Sequence, residues 1–249
     1  MAKYFIPVLS LIVVALLFLY FRVGVPVLHT QNLPSHPAPR HYIDSSLKLD
    51  EIKVSVVYFV PKNKISFFNE ELFNSARRSL EKLRAFHLIQ FDSRSQLSFE
   101  IFPETVAGQS DSLDYDSEFT QHGNPHAISR VTEELESRFE FVRNIRNNSG
   151  LSSAGGRQVY QVLLIIYEGV GASGSENVAL ISRKFLTELQ FTENGASVLA
   201  HEFYHTLGIP DAYDLDSGYA QSEDLMGRGR DRSLDRTYLD AVILRRMGI

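Results

Sequence analysis

The 249-residue chain contains no cysteine. That absence excludes disulfides, thiol nucleophiles and cysteine-ligated zinc, and leaves His, Asp and Glu as the strong metal ligands the chain can offer. No stripe of basic residues interleaved with aromatics occurs, and the formal net charge is -5, so no nucleic-acid partner is expected. Methionine is scarce, with Met1, Met226 and Met247 the only three. Apolar residues are abundant: 44% of the chain is hydrophobic, with 17 Phe and 11 Tyr, which is enough to bury a real core.

Residues 5–21 carry no charge, Lys3 and Arg22 flank them, and residues 23–28 extend the apolar run. This is about the length needed to cross a bilayer. A cleaved signal peptide would have a shorter apolar core and small residues in an A-x-A arrangement, for which Val23-Gly24-Val25-Pro26 is a poor substitute. The expectation is one transmembrane helix within residues 1–28, a single-pass protein whose folded part lies outside the cytoplasm; cleavage would make it secreted instead. Residues 29–46 read as a Pro-rich linker, with His29, His36 and His41 as solvated tether residues, and residues 47–249 as the folded domain.

The densest chemistry lies in His201-Glu202-Phe203-Tyr204-His205-Thr206-Leu207-Gly208-Ile209-Pro210-Asp211. Four helical residues rotate the chain by about 400°, so His201 and His205 project from one face a turn apart and can direct two imidazole nitrogens at one ion. Glu202 is placed to accept a proton from a water activated by that ion. Gly208 can take the left-handed conformation that ends a helix and turns the chain back, which makes Asp211 the third ligand candidate. Two imidazoles and a carboxylate leave one tetrahedral position open, as in a catalytic rather than a structural zinc site.

This pattern resembles that of the metzincin metalloproteases, H-E-x-x-H-x-x-G-x-x-H, with Asp211 where most members have histidine. An aspartate there is similar to the snapalysin-like branch, and the run Pro210-Asp211-Ala212-Tyr213-Asp214 also looks like immune-inhibitor-A-type metallopeptidases, a resemblance that makes Asp214 the reserve ligand. Fifteen residues after Asp211, Met226 lies in Glu223-Asp224-Leu225-Met226-Gly227 and resembles the family's Met-turn. The resemblance implies a Zn2+ cofactor, a peptide or protein substrate, and a tyrosine near the oxyanion, for which Tyr213 and Tyr219 are candidates.

Periodicity predicts a strand over residues 52–60, a helix over 70–86 capped by Asn69, and a strand over 96–102 stopped by Pro103. A polar loop follows over 104–125, in which Asp111, Asp114, Asp116 and Glu118 read as solvated rather than calcium-binding. A helix over 127–146, a central strand over 158–167 and a short strand over 178–182 come next, then a metal-bearing helix over 196–207 and a terminal helix over 234–247. The class is α/β (α+β). By resemblance this is a metzincin-like (zincin) catalytic domain with a twisted mixed sheet, active-site helix, Met-turn and C-terminal helix, and residues 178–182 are its cleft-bordering edge strand. The function expected is that of a membrane-anchored zinc endopeptidase. The alternative is a catalytically silent metzincin-like domain that binds a peptide or partner at the membrane surface, which the intact Glu202 disfavours.

Overall fold

Val162-Leu163-Leu164-Ile165-Ile166-Tyr167 is apolar on both sides because helices cover both faces of the sheet that it centres. The computed structural model describes residues 37–67, 69–116, 125–147, 151–154, 157–213 and 222–249. The apolar run 5–21, and with it the expected membrane anchor, lies outside the described residues, as do Glu118, Asp214 and Tyr219. Among the described residues no helix is long and apolar enough to cross a membrane.

Six strands, β1 (Glu51–Val60), β2 (Gln96–Ala107), β3 (Leu151–Ala154), β4 (Arg157–Tyr167), β5 (Ala172–Ser175) and β6 (Val178–Ser182), form one mixed sheet in the order β2-β1-β4-β6-β5. β1 is parallel to β2 and β4, and β4 is parallel to β6. β5 returns antiparallel to β6, and β3 pairs antiparallel with the start of β4. The helices are α1 (Glu70–Gln90), α2 (Ser112–Tyr115), α3 (Pro125–Arg138), α4 (Glu140–Asn147), α5 (Lys184–Thr187), α6 (Gly195–Thr206) and α7 (Ala241–Arg246). The structure is therefore a mixed α/β arrangement of the α+β kind.

Strand alternation sorts the apolar residues into two cores. Ile52, Val54, Val56 and Tyr58 of β1 join Tyr160, Val162, Leu164 and Ile166 of β4 on the face covered by α1 and α6. Val57, Phe59, Leu163, Ile165 and Tyr167 join Val131, Leu135, Val142 and Ile145 of α3 and α4 on the other. Asn69 caps α1 as the sequence indicates, its side-chain oxygen accepting from Leu72 N at 2.8 Å.

Several expectations need correction. Pro103 does not end β2. The pairing steps from Val56↔Ile101 to Tyr58↔Thr105, so the extra residues around the proline bulge out of a strand at the end of the sheet, where a missing N–H is tolerated. The helix expected over 127–146 breaks at Phe139 into α3 and α4. The terminal helix shrinks to Ala241–Arg246, capped by Asp240, because residues 237–240 are needed as extended chain: Tyr238 O accepts from Leu225 N at 2.8 Å and Leu239 N donates to Gln90 at 2.8 Å. Residues 178–182 are not the edge strand. All five are buried between β4 and β5, and the edge is β5, drawn from a Gly- and Ser-rich bend with little strand propensity of its own.

The compact unit spans Pro37–Ile249. Arg40 N donates to Met247 O at 2.7 Å, and Tyr42 N donates to Leu207 O at 3.1 Å. His41 is not solvated: it is 4% exposed and lies against the Tyr160 ring. In the acidic loop, Asp111 and Asp114 form a capping box on α2, and Asp116 accepts from Tyr167 OH at 3.1 Å.

Candidate active site

α6 is amphipathic in an unusual sense: its inner face carries Leu199, Phe203 and Tyr204 into the core, while His201 and His205 face a cleft. Its C-terminal end is firmly held. Thr206 O accepts from Tyr160 OH at 2.7 Å and from Asn177 N at 3.2 Å, which satisfies a carbonyl the helix cannot. Gly208 then takes φ +84°, with its N–H donating to His205 O at 2.9 Å and Ile209 N to Tyr204 O at 3.3 Å. That left-handed residue swings the chain so that Asp211 returns beneath the two histidines. A Cβ on Gly208 would meet the His41 ring at 2.7 Å.

His201 Nδ1 lies 3.0 Å from Leu225 O, and His205 Nδ1 lies 2.7 Å from Ile209 O. A carbonyl can only accept, so each Nδ1 carries the proton and each neutral imidazole presents a bare Nε2. The two Nε2 atoms are 3.1 Å apart, and Asp211 Oδ1 is 3.1 Å from both. Three acceptors thus converge, and Asp211 Oδ1 is buried without a well-formed hydrogen bond. A tetrahedral ion bonded at about 2.0–2.1 Å spaces its ligands about 3.3 Å apart. The triangle fits that spacing, and it is the one group of three potential metal ligands among the described residues.

The crowding also drives the local proton equilibria. Burial disfavours a charged His205, but the Asp211 and Glu202 carboxylates outweigh it and raise the imidazole above its ordinary value. Burial lifts Asp211 while the two imidazoles pull its carboxyl well below the usual carboxylate range. Glu202, 7% exposed at the wall of the cleft, is raised by burial, with the two histidines pulling the other way. A carboxylate with raised proton affinity is a better base than a solvated one.

The cleft has a volume of about 540 Å3. One wall is the edge strand β5, where Gly174 sits so close to α6 that a Cβ would run into Glu202 O and His205 Cβ. The Met226 side chain is fully buried, and the backbone of its turn holds the ligands: Leu225 O receives His201, and Met226 O accepts from Ala212 N at 2.9 Å. Tyr213 lines the cleft with its ring 6.1 Å from that of His201 and nearly parallel to it at 19°. Burial pushes its phenol up to about 12, against the pull of Arg230.

Thus His201, Glu202, His205, Asp211 and Tyr213 come together, whereas Asp214 and Tyr219 lie outside the described residues. Two contributors escaped the sequence reading. Asp224 organises the methionine turn, its carboxylate accepting from Gly227 N at 3.1 Å and Asp240 N at 3.2 Å; the spacing Ser222-x-Asp224-x-x-Gly227 is a turn signature that could have revealed it. Arg230 reaches the cleft from the 3-10 turn Arg228–Asp231, and no pattern marks it. Compared with protein-family models and with curated proteins, the chain matches none.

Proposed function

We propose that this chain is a zinc-dependent endopeptidase of the metzincin kind, held at a membrane by residues 5–21. His201, His205 and Asp211 hold the ion, and Glu202 is the general base. The observation that carries the reading is the 3.1 Å triangle of two bare imidazole nitrogens and a carboxylate oxygen, with a buried glutamate beside it in an open cleft. When bound, zinc would polarise a water and the scissile carbonyl, bringing the water's pKa to ~7. Glu202 takes the proton of the attacking water and delivers it to the leaving amine, so one carboxylate serves both transfers. The histidine–carbonyl hydrogen bonds fix both rings, so the ligands need no reorganisation. β5 is an antiparallel edge beside the catalytic wall, and an extended peptide can pair with its outward backbone groups.

The direct test is Glu202→Gln. It should retain zinc and the fold while turnover of a peptide substrate falls by about 10^2- to 10^4-fold. Near-normal turnover in this variant, with His201→Ala inactive, would remove Glu202 from the role of base.

A further inference from the structure

We propose that Arg230 is a substrate-binding residue that takes a carboxylate of the peptide, either an acidic side chain or a free C-terminus, next to the scissile bond. The inference rests on the peptidase reading and adds the class of substrate to it.

Arg230 lines the same cleft as His201, Glu202, Asp211 and Tyr213. Its guanidinium is fixed from one side: the Cζ lies 4.4 Å from the centroid of the Tyr213 ring, and NH1 donates to Tyr213 OH at 2.8 Å. A guanidinium has five N–H donors in a rigid planar fork, so this clamp uses one and leaves the rest oriented rather than free to wander. Three arginines elsewhere in the domain are spent on carboxylates. Arg183 makes two bonds to Glu168 at 2.7 and 3.2 Å, Arg138 binds Glu134 at 2.7 Å, and Arg146 binds Glu136 at 2.9 Å. Arg230 has no such partner among the described residues. Asp231 Oδ1 is 3.9 Å from its Nε, beyond hydrogen-bond reach, and the Asp231 side chain is 70% exposed, so water screens the pair. A fixed, unspent fork in a cleft is complementary to a planar carboxylate, which it can engage through two parallel bonds. Placement beside the metal ligands puts that carboxylate within a residue or so of the bond being cut.

The experiment uses the purified, zinc-loaded chain and a peptide it cleaves. One set of variants replaces Glu by Gln at each position flanking the cut, and the other replaces a free C-terminal carboxylate by its amide at matched length. Values of kcat/KM are measured for the wild type, Arg230→Gln and Arg230→Lys, and equilibrium binding of the same peptides is measured on zinc-loaded Glu202→Gln with and without Arg230→Gln. Zinc content and thermal unfolding of each variant check the fold. The expected result is a preference for the carboxylate of about ten- to a hundredfold in one set, in both turnover and binding, lost in Arg230→Gln and partly kept in Arg230→Lys. The set that shows it identifies the source of the carboxylate. Cleavage with no carboxylate preference would overturn the proposal and leave the peptidase reading standing. So would an Arg230→Gln variant that loses all peptides equally, since Arg230 would then be only a prop for Tyr213. Zinc uptake without cleavage of any peptide would instead overturn the peptidase reading, and this proposal with it.

Discussion

The two sides of α6 both meet histidine side chains, and they treat them in opposite ways. On the core side, Tyr204 OH lies 3.2 Å from His87 Nδ1, His87 Nε2 lies 2.8 Å from Ser95 Oγ, and Ser95 donates to Leu49 O. Each group in that chain gives one proton and each acceptor receives one, so the network is complete. Burial holds His87 neutral, lowering its pKa to about 3. On the cleft side, Nε2 of His201, Nε2 of His205 and Asp211 Oδ1 meet at 3.1 Å with no donor among them. Folding does not leave three acceptors, buried or partly buried, face to face without compensation. The contrast separates polar groups that specify the fold from polar groups assembled for a cation.

The largest break in this comparison should come from Asp211→Ala. Zinc affinity should fall by orders of magnitude, because one of the three ligands is lost. Asp214→Ala should weaken zinc far less. Equilibrium metal titration of the two variants gives the order, and the reverse order would mean that the third ligand lies beyond the turn at Gly208.

His87→Ala should behave in the opposite way. It opens a cavity and orphans Tyr204 and Ser95, so urea unfolding should register a loss of about 2–4 kcal/mol with little change in zinc affinity. The pH dependence follows from the same residue. An unfolded His87 takes up a proton near pH 6.5, but the folded one does so only near pH 3. Its contribution to stability is therefore complete above pH 6.5 and declines by about 1.4 kcal/mol for each pH unit below that, down to about pH 3. Unfolding free energies at pH 7.5 and 5.5 should differ less in His87→Ala than in the wild type. An equal difference in both would mean that His87 is already charged in the fold.

The smallest effect is expected for Met226→Leu. The groups of this turn that hold the ligands are the carbonyls of Leu225 and Met226, and the side chain is replaced by one of similar volume. A cost under about 1.5 kcal/mol in urea unfolding and near-unchanged zinc affinity should result.

Much of this was legible in the chain because it depends on local spacing. The helix carrying His201 and His205, the left-handed Gly208, the Asn69 cap and the central run of β4 all follow from period, propensity or a single special residue. What stayed hidden depends on distant partners. β5 is a strand because β6 and α6 hold it, although Ala172-Ser173-Gly174-Ser175 has little tendency to extend. Residues 237–240 are drawn out of helix by Leu225 and Gln90, and Phe139 interrupts an otherwise periodic helix. Arg230 reaches the site only through the path of the chain after the methionine turn, which no spacing rule encodes.

The most direct measurement is the zinc content of the purified chain after equilibration with zinc and removal of excess, set beside the same measurement on His205→Ala. About one zinc ion per wild-type chain is expected, lost on chelation together with a fall in melting temperature, and close to none in the variant. A folded wild-type chain that takes up no zinc, or a His205→Ala chain that takes up as much, would contradict a metal centre at His201, His205 and Asp211.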